Sequence, residues 1–236
     1  MMHSTNSSSF EEFQNFARNN AVSLHNLFPK TSFSEVLKID MATELSPDFN
    51  YDTVLELGNF ISEIQQKNPT ALLANGYLEK RRFYTTDAYK RTTANGSEYR
   101  NIHLGTDFWI PAQTPVHTLF DGKIVILQDN NFPKDYGPTL VLEHNINDKN
   151  FYTLYGHLSR ESLLLHKKEK QLKAGELLGF IGEPYENGNW APHLHFQLML
   201  DLLGNTENFP GVAFPSEIET WKRICPDPSV LFLEDF

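Results

Sequence analysis

His193-Leu194-His195-Phe196-Gln197-Leu198-Met199 alternates polar and apolar side chains as far as Leu198. That period of two belongs to a strand, whose successive side chains leave on opposite faces. His193 and His195 then share one face, while Leu194 and Phe196 point into a core. The same texture extends back to about Gly76. Phe108–Ile110, Lys123–Leu127, Thr139–Glu143, Phe151–Tyr155 and Leu177–Ile181 are short β-branched and aromatic runs. Asp121-Gly122, Asn145 to Asp148, Lys173-Ala174-Gly175 and Asn187-Gly188 separate them as turn signals. This spacing predicts an antiparallel sheet or a small barrel-like β domain.

Upstream the texture is helical. Residues 1 to about 10 read as a disordered polar tail. Phe10, Phe13, Phe16, Val22, Leu24 and Leu27 recur at near-helical spacing up to Pro29, with Ser9 placed as N-cap ahead of Glu11 and Glu12. Val54, Leu55, Leu57, Ile61 and Ile64 form one stripe of a second helix from Tyr51 to Lys67, closed by Pro69. Ser162 to Lys170 reads as a short connecting helix. The expected class is α+β: a helical N-terminal segment over residues 1–70, and a mainly antiparallel β-sheet domain over 71–236.

At 236 residues, with 40% hydrophobic and 13% aromatic side chains, the chain can pack a sizeable core. The formal net charge of -10 argues against a nucleic-acid partner, which calls for a basic patch. It also argues against tight binding to anionic lipid or to polyanionic wall polymers. No apolar run reaches the roughly 20 residues needed to span a bilayer, so no membrane partner is expected. The polar N-terminus shows no basic stretch followed by an apolar one, which points to a cytoplasmic location. The single cysteine, Cys225, excludes an intrachain disulfide and reads as a small buried hydrophobe.

The histidines carry the chemistry. In His103-Leu-Gly-Thr-Asp107, placed on a strand, His103 and Asp107 point the same way and Gly105 lies between them, where a metal above the strand would leave no room for a side chain. His193 and His195 can meet them on a neighbouring strand. His157, in Tyr155-Gly156-His157-Leu158, ends a third. Imidazole nitrogen and carboxylate oxygen form the ligand set of a catalytic Zn2+ site, and three protein ligands leave one position for water. His3, His25, His117, His144 and His166 read instead as hydrogen-bonded structural residues. Four polar groups buried unpaired would cost roughly 1–3 kcal/mol each, a cost that a shared metal removes.

Taken together, His103-Leu-Gly-Thr-Asp107, Pro111-Ala-Gln-Thr-Pro115 through Asp121-Gly122, Tyr155-Gly-His157-Leu-Ser159 and Pro192-His193-Leu-His195-Phe-Gln197 resemble the lysostaphin-type zinc metallopeptidases, over about Gly76 to Met199. The resemblance implies a barrel-sandwich-like catalytic domain and a zinc endopeptidase acting on peptide links of peptidoglycan. By matching position it assigns His103, Asp107 and His195 as zinc ligands, and His157 and His193 as unligated catalytic histidines. Asn75 occupies a place where relatives can cap the zinc, although a turn residue is the plainer reading. The sequence departs from the family at Gln113, where glycine is usual, and in its acidic balance and lack of a wall-targeting domain. Two competing readings are a noncatalytic zinc-binding relative acting as a regulatory module, which the five matching polar positions disfavour, and a lipoyl- or biotin-carrier barrel, for which Asp121-Gly122-Lys123 offers no convincing modifiable lysine.

Overall fold

A computed structural model of the chain describes residues 7–46, 49, 53–82, 84, 87–93, 96–146 and 148–236. In chain order the elements are α1 (Ser7–Asn20), α2 (Leu24–Leu27), β1 (Glu35–Lys38), α3 (Met41–Glu44), α4 (Val54–Lys67), β2 (Ala71–Asn75), β3 (Lys90–Thr93), β4 (Gly96–Tyr99), β5 (Ile102–His103), β6 (Thr106–Trp109), β7 (Pro115–His117), β8 (Gly122–Asn130), β9 (Gly137–Ile146), β10 (Lys149–Gly156), α5 (Arg160–Leu164), β11 (Gln171–Leu172), β12 (Leu177–Phe180), β13 (His193–Met199), β14 (Val212–Ala213) and α6 (Ile218–Ile224). Eight strands form one sheet in the order β1-β2-β6-β13-β10-β9-β8-β11. Only β1 and β2 are parallel; the other pairings in that sheet are antiparallel. β7 with β12, β5 with β14, and β3 with β4 make two-stranded ribbons.

The strand expected at 193–199 forms over that stretch and lies at the middle of the large sheet, between β6 and β10. Its apolar face behaves as the alternation requires: Leu194, Phe196 and Leu198 are fully buried in the main core with Phe108, Leu140, Leu142 and Tyr155. That core has aliphatic and aromatic side chains from every strand of the large sheet and from the β7–β12 ribbon, so the fold is mainly antiparallel β with helices on its flank, as expected.

The N-terminal segment differs from its sequence reading in four respects. The polar tail is shorter, because α1 already begins at Ser7; residues 1–6 lie outside the described residues. Ser9 therefore sits inside the helix rather than capping it. The helix is held by packing more than by its start signal, since Phe13 and Phe16 lie against Phe151 with ring centroids 5.4 and 5.5 Å apart. The single helix expected up to Pro29 breaks after Asn20. Val22 bridges to Phe232 instead, and Ser23 caps the separate helix α2 by accepting from the His25 N–H. Finally, Glu35–Lys38 is a strand, too short for its periodicity to register in sequence; its pairing to β2 supplies its backbone partners. The connecting helix expected at 162–170 is only partly formed: α5 runs Arg160–Leu164, starting earlier because Ser159 caps it and ending well before Lys170.

Candidate metal centre

Register builds the site. In β13 each histidine faces a particular neighbour across the sheet. His193 stands opposite Trp109, and His195 stands opposite Asp107 of β6 on one side and Gly156 of β10 on the other. His157 follows β10 directly, so the same pairing brings it beside β13. It has φ +61, a left-handed conformation unusual for a residue with a side chain. Two backbone bonds hold it there: its N–H donates to the Tyr136 carbonyl (2.8 Å), and its carbonyl accepts from the Gly182 N–H (2.9 Å).

His103 reaches the site by another route than expected. Residues 103 to 110 are not one strand. The chain leaves the pleat at Leu104-Gly105, with His103 paired to Val212 of β14 and Asp107 to His195. A Cβ at Gly105 would lie 2.7 Å from His195 Cε1 and 2.7 Å from the Phe196 carbonyl oxygen. Glycine is needed at this position to admit the His195 ring.

The structure brings His103, Asp107 and His195 together as a group whose ligand atoms all lie within 4.8 Å of one another, all three residues buried. Hydrogen-bond partners assign the imidazole tautomers. His103 Nδ1 lies 2.8 Å from the Gly76 carbonyl and must donate to it, which leaves Nε2 without a proton. The Gln197 amide is oriented by its Nε2, which donates to the Pro210 carbonyl and the Cys225 sulfur. Its Oε1 therefore faces His195 Nε2 (3.0 Å) as acceptor, and His195 Nδ1 carries the lone pair. His103 Nε2 and His195 Nδ1 stand 2.8 Å apart, with Asp107 Oδ1 at 3.4 and 3.1 Å from them. Three buried acceptors thus converge with no proton to share among them, an arrangement that a cation satisfies and that a hydrogen-bonded core cluster does not. The donor set fits zinc.

His157 and His193 border this cluster with ring centroids 4.2 Å apart. Each gives its Nδ1 proton to a carbonyl, His157 to Asn187 (2.8 Å) and His193 to Ala191 (2.7 Å), so each keeps a basic Nε2. His193 Nε2 lies 3.8 Å from Asp107 Oδ1. Burial pushes the His193 pKa down to about 4 against a weaker pull from Asp107. Burial, with the His193 and His195 charges, drives His157 well below its ordinary value. Both are neutral near pH 7. Burial works to raise the Asp107 carboxyl, but Arg81 and the neighbouring histidines hold it well below the ordinary carboxylate range.

Other expectations resolve simply. Asn75 ends β2 opposite Asp107, but its amide is committed elsewhere: Oδ1 accepts from Trp109 Nε1 (2.6 Å) and Nδ2 donates to Glu79. Gln113 has φ +64, which gives a physical reason for glycine at this turn. Cys225 is fully buried and its thiol is pushed up by burial, so it is no nucleophile. Arg81, which pairs with Asp107, escaped sequence reasoning. A groove of about 540 Å³ opens over the histidines, with Tyr84, Tyr89, Arg100, Phe132, Lys134 and Trp190 among its walls.

Residues 101–207 match the sequence pattern of peptidase family M23. Peptidoglycan DD-endopeptidase ShyB of Vibrio cholerae is 29% identical over 131 residues, 56% of this chain and 27% of that protein. Glycyl-glycine endopeptidase ALE-1 of Staphylococcus capitis is 32% identical over 146 residues, 62% of this chain and 36% of that one. Among solved structures, the catalytic domain of lysostaphin from Staphylococcus simulans is 27% identical with a TM-score of 0.36, covering 52% of this chain and 80% of that domain. The matched stretch thus spans about a third or less of the curated relatives' length.

Proposed function

We propose, from the match of residues 101–207 to peptidase family M23, that the chain is a zinc-dependent endopeptidase acting on the peptide crosslinks of peptidoglycan. The names of its relatives support the substrate class, since the DD-endopeptidase and the glycyl-glycine endopeptidase both cut peptide links. The observation that carries the chemistry is the convergence of His103 Nε2, His195 Nδ1 and Asp107 Oδ1 with no proton among them. In this reading these three atoms are the ligands.

When bound, zinc polarises a carbonyl and lowers the pKa of water from 15.7 to about 7. The chain's own residues do the rest. Gly76 and Gln197 hold the two ligand imidazoles in the tautomers that present lone pairs. His157 and His193 present basic Nε2 atoms at the edge of the groove. Between them they accept a proton from the attacking water, deliver it to the departing amine and steady the negative charge on the carbonyl oxygen. Such acid–base help is worth about 10²- to 10⁴-fold. Tyr84, Tyr89 and Trp190 give the peptide aromatic walls to lie against. A wall substrate requires the chain to work outside the cytoplasm, against the location expected from its polar N-terminus.

The test is peptide release from crosslinked muropeptides, alongside zinc content, with and without a chelator. Release should stop on zinc removal and return on its readdition. His157→Ala should lose about 10²-fold or more in turnover while keeping its zinc. Release that survives complete loss of zinc overturns the proposal.

A further inference from the structure

Asp107 has two carboxylate oxygens, and they face different surroundings. Oδ1 is turned to the three histidines, while Oδ2 is turned away, 2.6 Å from Arg81 Nη2. Arg81 is itself held. Its Nε donates to Glu79 Oε1 at 3.1 Å, and Glu79 also accepts from Asn75 Nδ2 (3.2 and 3.3 Å) and from the Met41 N–H (3.0 Å). The Arg81, Glu79 and Asp107 side chains are 5%, 6% and 1% exposed, so the charges meet where water screens them little. Gly76 ties this cluster to a second ligand. A Cβ there would lie 2.5 Å from Arg81 Nη2 and 2.6 Å from His103 Nδ1, and the Gly76 carbonyl accepts the His103 proton. The turn 75–81 therefore sets the directions of two of the three converging side chains from outside the family-matched residues 101–207.

We propose that Arg81, braced by Glu79, is a positioning residue that occupies Asp107 Oδ2, leaves Oδ1 as the single oxygen offered to the metal, and keeps the site assembled before the metal arrives. This rests on the zinc reading above. A carboxylate free to rotate would have to be ordered at the moment of binding, and that ordering would weaken affinity.

The experiment is zinc titration of the metal-free full chain against a competing chromophoric chelator, with the absorption spectrum of the Co2+-loaded protein as a second readout. Arg81→Met should bind zinc about 10- to 100-fold more weakly than wild type and shift the Co2+ bands. Arg81→Lys, which keeps the charge but lacks the planar fork of donors that spans Asp107 and Glu79, should recover part of the loss. Glu79→Gln should lose less, in the same direction. A folded Arg81→Met with wild-type affinity and an unchanged Co2+ spectrum overturns the proposal. If Arg81→Met does not fold, Glu79→Gln decides, and unchanged zinc affinity there overturns it equally. A wild-type chain that binds no zinc overturns the underlying zinc reading instead.

Discussion

Gly105 stands where a side chain has no room. Space above the chain is required there, but the His195 ring fills it, at 2.7 to 2.8 Å from where a Cβ would stand. Gly105→Ala therefore has to displace a proposed ligand or the β13 backbone. Overpacking of this kind costs about 1–3 kcal/mol, and the expected outcome is a lower melting temperature together with weakened zinc binding. Full zinc occupancy in a stable Gly105→Ala protein would count against His195 as the neighbour that matters. Gln113 makes the opposite case. It is exposed, at φ +64, with its N–H donating to the Ile181 carbonyl at 2.8 Å. Gln113→Gly keeps that bond and removes the Cβ penalty of the left-handed region, so a denaturant midpoint corresponding to about 0.5–1 kcal/mol of added stability is expected. A fall in the midpoint would show that the Gln113 side chain contributes more than its strain costs.

Elements were legible in the sequence where their pattern is local. β13 shows itself by alternation, because both of its faces are decided by packing within seven residues. β8, β9, β10 and β12 follow from β-branched runs between turn signals, and α4 from one apolar stripe. The break between β5 and β6 was not legible, since it exists to let His103 pair with Val212, far along the chain. β1 and the Arg81–Asp107 pair failed to register for the same reason: their partners are set by tertiary contact, and neither has a period. The β9–β10 pair also carries a pH dependence. His144 of β9 lies against Phe151 with ring centroids 4.7 Å apart, its Nδ1 2.9 Å from the Asp121 carbonyl and its Nε2 2.8 Å from Thr153 Oγ1. Burial lowers its pKa from 6.5 to about 4, against smaller raising contributions from Asp121 and Glu143. The unfolded chain therefore binds the proton first as pH falls. The stabilisation is complete above pH 6.5 and is lost progressively between 6.5 and about 4, up to about 3 kcal/mol in all at 1.36 kcal/mol per unit. Denaturant midpoints measured from pH 7.5 to 4.5 should fall less steeply in His144→Gln than in wild type. Equal slopes would remove His144 from the account.

For the whole molecule, the issue is whether the N-terminal seventy residues are an appendage or part of one cooperative body. Change of texture in the sequence separates them from the β domain, but the core does not. Phe13, Ala17, Leu24, Leu27 and Phe28 lie in the same buried cluster as Phe108, Leu194 and Phe196. β1 extends the sheet that holds β6 and β13. Ser23 Oγ and the Leu24 N–H both donate to the Glu234 carboxylate, at 2.6 and 2.9 Å, which ties the segment to the far end of the chain. Phe28 is fully buried and edge-on to Phe108 at 5.7 Å. Phe28→Ala should cost about 3–5 kcal/mol, and at 2–4 °C per kcal/mol for a chain of this size the melting point should fall by about 10 °C. The fall should be the same by far-UV circular dichroism and by the near-UV tryptophan signal, to which Trp221 contributes together with Trp109 and Trp190, the rings that stand beside His193 at 4.5 and 6.2 Å. Coincident curves are the signature of a single transition. Should the tryptophan signal keep its wild-type midpoint while the far-UV signal drops, the β domain would be folding without its N-terminal segment, and the shared core would not be what stabilises the cluster of His103, Asp107 and His195.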